Sequence, residues 1–320
     1  MERRRAVGIA LAVSSACGYG SGPLFAKGVY ASGLDWLALL HWRFLIGMAL
    51  SWSWLLLQPA ARAALRELSR ARAVALLGLG AFFVGNAATY YAALETIPAS
   101  LAALIVYVYP ALVAVLALRF GHTLQGRRPW VALGVVMLGV ALTVGGIEGR
   151  ADPLGLVLAI ASPLIYAVYI VLAARLAGER RGTTADARTA GAGAETPPAV
   201  AAAVMMTGTA VVMSALAAAA HEPILPWQVP AGAWIGLLGI AVLSTALAVQ
   251  AFYAGTSRIG AAHASLVSTI EPVYTITLAT LLLGERLAPL QVAGGVLVIG
   301  GVILAQSEPG AAITTVREEA

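Results

Sequence analysis

Two charged side chains stand where charge is costly. Arg43 lies about nine residues into an apolar stretch over 34–57, roughly 14 Å along a helix axis. Glu271 lies about nine residues into a second stretch, over 262–283. An arginine at such a depth in a bilayer costs about 2.5–3.5 kcal/mol, so it belongs toward a protein interior or water. Arg43 has the chemistry to bind a carboxylate; the alternative is a structural arginine tied to backbone carbonyls or to Glu271. Glu271 suits a cationic group or a transferable proton, and Pro272 beside it frees a backbone carbonyl. The alternative for Glu271 is a structural partner of a nearby polar group, or exposure to an aqueous cavity.

Around these two charges the apolar stretches carry Tyr19, Tyr90, Tyr107, Tyr109, Tyr166, Tyr169, Tyr253 and Tyr274, with the amides Asn86 and Gln250. A tyrosine offers an apolar ring and one hydroxyl, which suits a cavity that must bind and release a small amphipathic solute. Packing or an interfacial belt is the other role open to them. His41 and His263 titrate near neutral pH in water, and each is read as a coupling group or as a bland helix-end residue. Lys27, at the expected outer end of the first stretch, either snorkels to headgroups or steers and gates substrate.

These residues need a scaffold, and composition says what kind. The 320 residues are 60% hydrophobic and only 11% charged, with mean hydropathy +0.86, far from a soluble domain. Apolar stretches long enough to span a bilayer are predicted near 6–27, 34–57, 73–94, 99–118 and 129–147, then 154–174, 198–219, 231–255, 262–283 and 288–306. The expected architecture is an all-α polytopic membrane protein of ten transmembrane helices. Sixteen of the twenty basic residues fall on the side of the N-terminus, against three (Lys27, Arg150, Arg286) on the other. Both termini are therefore expected in the cytoplasm, and the location expected is a bacterial inner membrane. The net charge of +5 is a topology signal and not a nucleic-acid footprint.

The chain also repeats. Tyr90-Tyr91-Ala92-Ala93 to Tyr109-Pro110 returns as Phe252-Tyr253-Ala254-Gly255 to Glu271-Pro272. Gly8, Leu11, Ala12, Ser15 and Tyr19 return as Gly155, Leu158, Ala159, Ser162 and Tyr166. Val131, Ala132, Gly134, Val135 and Gly139 return as Val292, Ala293, Gly295, Val296 and Gly300. With five spans per half, residues 1–150 and 151–320 are expected to be inverted copies, joined by a flexible cytoplasmic connector near 178–197. Gly18-Tyr19-Gly20-Ser21-Gly22-Pro23 is expected to break the first helix, as unwound backbone at a transport site does. The first helix, after Arg3-Arg4-Arg5, is read as uncleaved, and the single Cys17 excludes an intramolecular disulfide. Gly134, Gly139, Gly294 and Gly301 suit close helix packing, at the periphery or across a homodimer.

Three elements of the second half, in order, carry a resemblance: Ile270-Glu271-Pro272, Leu283-Gly284-Glu285-Arg286-Leu287 and the glycine-rich Gly294 to Val302. Together they resemble the EamA-type repeat of the drug/metabolite transporter superfamily. The first half is similar through Arg43-Phe44 and Ala92 to Pro110, but Arg119-Phe120-Gly121-His122-Thr123 lacks the acidic residue that Glu285 supplies. The resemblance implies export of amino acids, other small metabolites or drugs. No HExxH, paired aspartates or Ser/His dyad supports an enzyme, no nucleotide loop supports direct use of ATP, and no metal or cofactor is expected. A secondary transporter of amino acids, aromatic or large apolar ones included, working by alternating access is the reading. The alternatives are a proton-coupled drug or metabolite transporter and a channel-like facilitator.

Overall fold

The computed structural model describes residues 2–109, 112, 113, 116, 128–145, 152–177, 196–259, 264 and 267–306. Among the described residues every regular element is helical. The helices are α1 (Glu2–Ala31), α2 (Trp36–Leu56), α3 (Pro59–Arg66), α4 (Arg70–Thr96), α5 (Ala99–Val106) and α6 (Arg128–Gly145). They continue as α7 (Pro153–Ala177), α8 (Pro198–Ala219), α9 (Ala233–Leu238), a π-helical stretch (Gly239–Leu247), α10 (Ala248–Ile259), α11 (Ile270–Leu283) and α12 (Pro289–Gln306). Five described helical runs are long and apolar enough to cross a membrane, and α2 with α3 makes a sixth if the bent pair is one span.

Local chemistry fixes the ends. The Asp35 carboxylate accepts from the N–H groups of Leu37 and Ala38, capping α2. Asp152 does the same for α7 through Leu154 and Gly155. Gly284, at φ 68°, closes α11 in the left-handed conformation that glycine adopts most cheaply, and the Glu285 N–H then reaches back to the Ala279 carbonyl.

The core sits where α1, α2, α4 and the α8–α9 region meet around Leu39, Leu40, Phe44, Leu94, Met213 and Ile240, all fully buried. α1 packs on α10 and α11, α4 packs on α7 and α8, and α2 packs on α8 and the π stretch. α5 packs on α7 and α11, and α6 lies along α12. In that last pair Gly139, Gly294 and Gly301 meet the partner helix backbone, so these three glycines are used inside the chain.

One expectation needs correction. The Gly18–Pro23 run does not break the first helix, because α1 is continuous with Pro23 inside it. Proline cannot bond the Tyr19 carbonyl one turn earlier, and the Ser244 hydroxyl from the π stretch donates to it instead, at 3.4 Å. The glycines serve close approach: a Cβ on Gly18 would sit 2.9 Å from the Leu243 carbonyl oxygen, and one on Gly20 would sit 3.0 Å from that of Glu271. Arg62 and Arg66 belong to the short helix α3, which is bent by 102° from α2. Pro110, His263, Arg119–Thr123 and most of the 178–197 connector lie outside the described residues.

Candidate binding site between the two halves

Arg43 projects from the middle of α2 toward the π stretch. Its Nε donates to Thr245 Oγ1 at 3.0 Å, while the Thr245 hydroxyl donates to the Ile240 carbonyl five residues back. Within the widened turn, that side-chain bond aims the oxygen at Arg43. The guanidinium carbon lies 4.9 Å from the ring centre of Tyr91 and 5.3 Å from that of Phe44. Two ring faces thus flank the half-buried cation.

Glu271 begins α11, and its own first turn depends on the other half of the chain. Pro272 leaves the Ser268 carbonyl without its helical donor, and the Tyr107 hydroxyl supplies one at 2.5 Å. The same hydroxyl stands 3.5 Å from Glu271 Oε2. Having given its hydrogen to Ser268, it has lone pairs free to accept from a protonated Glu271. Thr275 ties this turn to α1 by donating to the Gly20 carbonyl at 2.8 Å.

Aromatic contacts join the two charges. Phe44 meets Phe83 at 6.1 Å, Phe83 meets Tyr166 at 6.3 Å, Tyr166 meets Tyr109 at 4.7 Å and Tyr109 meets Tyr107 at 6.0 Å. Tyr90, edge-on to Tyr91 at 5.2 Å, has both Arg43 and Glu271 as charged neighbours. Among the described residues no salt bridge joins Arg43 to Glu271; each is held by neutral groups. The arrangement is a cation and a carboxyl, each partly exposed, with aromatic walls between them. Such a surface presents one partner for an anion, one for a cation or proton, and ring faces for an apolar side chain.

Other expected residues fall elsewhere. Tyr19 is half-buried on α1 with Tyr109 as a neighbour, so it borders this group. Asn86 Oδ1 accepts from Ser162, tying α4 to α7. Gln250 is half-buried on α10, and the side chain of Tyr253 lies outside the described residues. His41 turns away from Arg43: its Nδ1 pairs with Ser214 at 3.0 Å and its ring meets Trp42. Tyr169 extends the aromatic row by stacking on Tyr166 at 5.9 Å. Tyr91, Phe83 and Thr245 were not singled out by sequence, although Tyr91 adjoins Tyr90 and Phe83 sits one turn before Asn86 in the same apolar run.

A second polar cluster lies at one end of the helices. Lys27 Nζ donates to the Ile97 carbonyl at 2.8 Å, with the carboxylates of Glu285 and Glu95 as its charged neighbours. Glu285 accepts from the N–H groups of Ala99 and Ser100, at 2.8 and 2.9 Å, and from the Ser100 hydroxyl at 2.7 Å. It therefore caps α5 from the far end of α11. Glu95 Oε1 accepts from the Trp36 N–H at 2.6 Å at the start of α2. No group of histidine, cysteine, aspartate or glutamate able to hold a metal occurs among the described residues.

The geometry can be set beside known proteins. A match to the EamA-like transporter family covers residues 6–145 and 153–306. The threonine/homoserine exporter RhtA of Escherichia coli K12 is 28% identical over 76% of this chain and 72% of its own length. The uncharacterized transporter YcbK of Bacillus subtilis is 27% identical over 89% of this chain and 88% of its own. A solved crystal structure superposes with a TM-score of 0.62 at 18% identity, covering 94% of this chain and 96% of that one, which shows a shared fold. These relatives are transporters and not enzymes, and with the family match spanning nearly its whole length the chain belongs to the EamA-like transporter family.

Proposed function

We propose that the protein is a secondary carrier that exports amino acids across the inner membrane by alternating access, binding them between Arg43 and Glu271. The observation that carries this reading is the separation of those two charges by ring faces, with no salt bridge between them. A free amino acid brings the complement: its carboxylate to Arg43, its ammonium to Glu271, its side chain to Tyr90, Tyr107 and Tyr109. Similarity to RhtA, a threonine/homoserine exporter, supports the same solute class.

Helix pairing supports ten spans in two inverted halves, residues 1–150 and 151–320. An inverting two-fold axis exchanges the pair α1/α10 with α7/α4, and α1/α11 with α7/α5; both members of each exchange occur. It maps α2/α8, α5/α11 and α6/α12 onto themselves, and these helices also touch. The twenty basic residues support cytoplasmic termini, which puts Lys27, Glu95 and Glu285 at the outer end, where they act as a gate. A proton-coupled version has one observation behind it: the Tyr107 hydroxyl, committed to Ser268, is oriented to accept from protonated Glu271.

Counterflow in proteoliposomes tests the proposal. Vesicles loaded with unlabelled amino acids should transiently accumulate a labelled one with no pH gradient imposed. No accumulation across a complete amino-acid panel, with folded protein in the membrane, would remove amino acids as substrates.

A further inference from the structure

The short helix α3 and its surroundings form a second surface with a distinct chemistry. α3 turns 102° from α2, so where α2 crosses a bilayer α3 runs along the bilayer surface. Ala61, Ala64, Leu65 and Leu68 recur at helical spacing and face Leu55, Leu76, Val200 and Val204, with Ala61 buried. Between α3 and the cytoplasmic ends of α2, α4 and α8 an open cavity of about 330 Å³ is lined by Trp52, Leu65, Leu68, Ala73, Leu77 and Val204, with Thr207 at its wall. Trp52 is held there by donating from Nε1 to the Thr207 hydroxyl at 2.9 Å.

The segment that carries this lining is strongly basic. Arg62 and Arg66, one turn apart on α3, and Arg70 at the start of α4 are exposed, and Arg72 is half-buried. Glu67 is the one acid between Pro59 and Ala73. An apolar slot at a membrane boundary, whose lining residues Leu65, Leu68 and Ala73 are interleaved in sequence with three exposed arginines, complements an acyl chain joined to an anionic headgroup. We infer that this groove is a binding site for an anionic phospholipid, the acyl chain lying along Trp52, Leu65 and Leu77 and the phosphate facing Arg62, Arg66 and Arg70. The inference needs α3 at a membrane–water boundary and does not depend on which solute is carried. Each arginine near such a surface strengthens the preference for anionic over neutral lipid about fivefold.

The test uses the full chain, purified from bilayers of equal phosphatidylglycerol and phosphatidylcholine with matched acyl chains, and counts retained lipid by native mass spectrometry. Wild type should retain phosphatidylglycerol in clear excess. Arg62→Gln with Arg66→Gln should cut that excess at least tenfold. Ala73→Phe, which fills the slot without touching charge, should lower retention of both lipids, and Arg258→Gln, on the exposed end of α10, should change nothing. Equal retention of the two lipids by wild type overturns the inference. So does an excess that survives the double arginine variant, or total lipid retention that Ala73→Phe leaves unchanged. Unchanged melting temperature of Ala73→Phe keeps the comparison meaningful if the arginine variant is poorly folded.

Discussion

Glu285 and Ser100, 185 positions apart, meet through two hydrogen bonds to one carboxylate oxygen: the Ser100 N–H at 2.9 Å and its hydroxyl at 2.7 Å. The acid that follows Gly284 at the end of α11 is thus the cap of a helix in the other half. A carboxylate at a helix N-terminus satisfies donors that have no partner inside the helix and opposes the positive end of its dipole. Lys27 sits against the same junction through the Ile97 carbonyl, so α1, α4, α5 and α11 converge on one polar knot.

Removing that cap should be felt as stability. Glu285→Ala leaves the Ala99 and Ser100 N–H groups without their acceptor and should cost about 1–2 kcal/mol. Glu285→Gln, which keeps one acceptor oxygen, should cost less. Thermal unfolding in detergent ranks the three proteins, and equal melting temperatures would show that the cap contributes nothing.

Lys27 should control access. With Lys27→Met the tie between α1 and the α4–α5 turn is gone, and a cysteine placed at Ser100 should react with a membrane-impermeant thiol reagent several-fold faster than in the Lys27 background. An unchanged labelling rate would exclude a gating role.

Tyr107 ties Glu271 to the opposite half. Tyr107→Phe leaves the Ser268 carbonyl unpaired beside Pro272, at a cost of about 1–3 kcal/mol, and should slow transport because the first turn of α11 loosens. Wild-type melting and transport in this variant would show that the turn holds its shape unaided.

The Gly155 N–H, the Thr96 hydroxyl and the Leu154 N–H hold the Asp152 carboxyl below its ordinary range. A depressed folded value gives stability that is present above the unfolded pKa of about 3.9 and lost as pH falls through the folded one. Asp152→Asn should therefore melt lower than wild type at neutral pH, and the gap should close as pH drops below about 4. A gap independent of pH would remove the charge from the explanation.

Much of this was legible in the sequence, for definite reasons. Arg43 and Glu271 stood out because a charge in an apolar run is rare and needs a reason, and both are at the candidate site. The local pattern misled at Gly18–Pro23: glycines and a proline read as a break, but hydroxyls of Ser244 and Thr275, more than 220 residues away, bond the carbonyls of Tyr19 and Gly20. The role of Thr245 was hidden because the π register has no local signal; its partners, Phe25 against Gly239 and Arg43 at the widened turn, lie on other helices. Glu285 was visible as part of a motif, yet its partner lies in the opposite half, where periodicity carries no information about contact.

The most direct test of a zwitterion site at Arg43 and Glu271 is competition in the counterflow assay. Free amino acids should compete with the labelled one, whereas the methyl ester, which lacks the carboxylate, and the N-acetyl derivative, which lacks the ammonium, should not. Arg43→Gln should lower transport at least tenfold and abolish the discrimination between acid and ester. Wild-type rates and unchanged discrimination in both Arg43→Gln and Glu271→Gln would contradict the site.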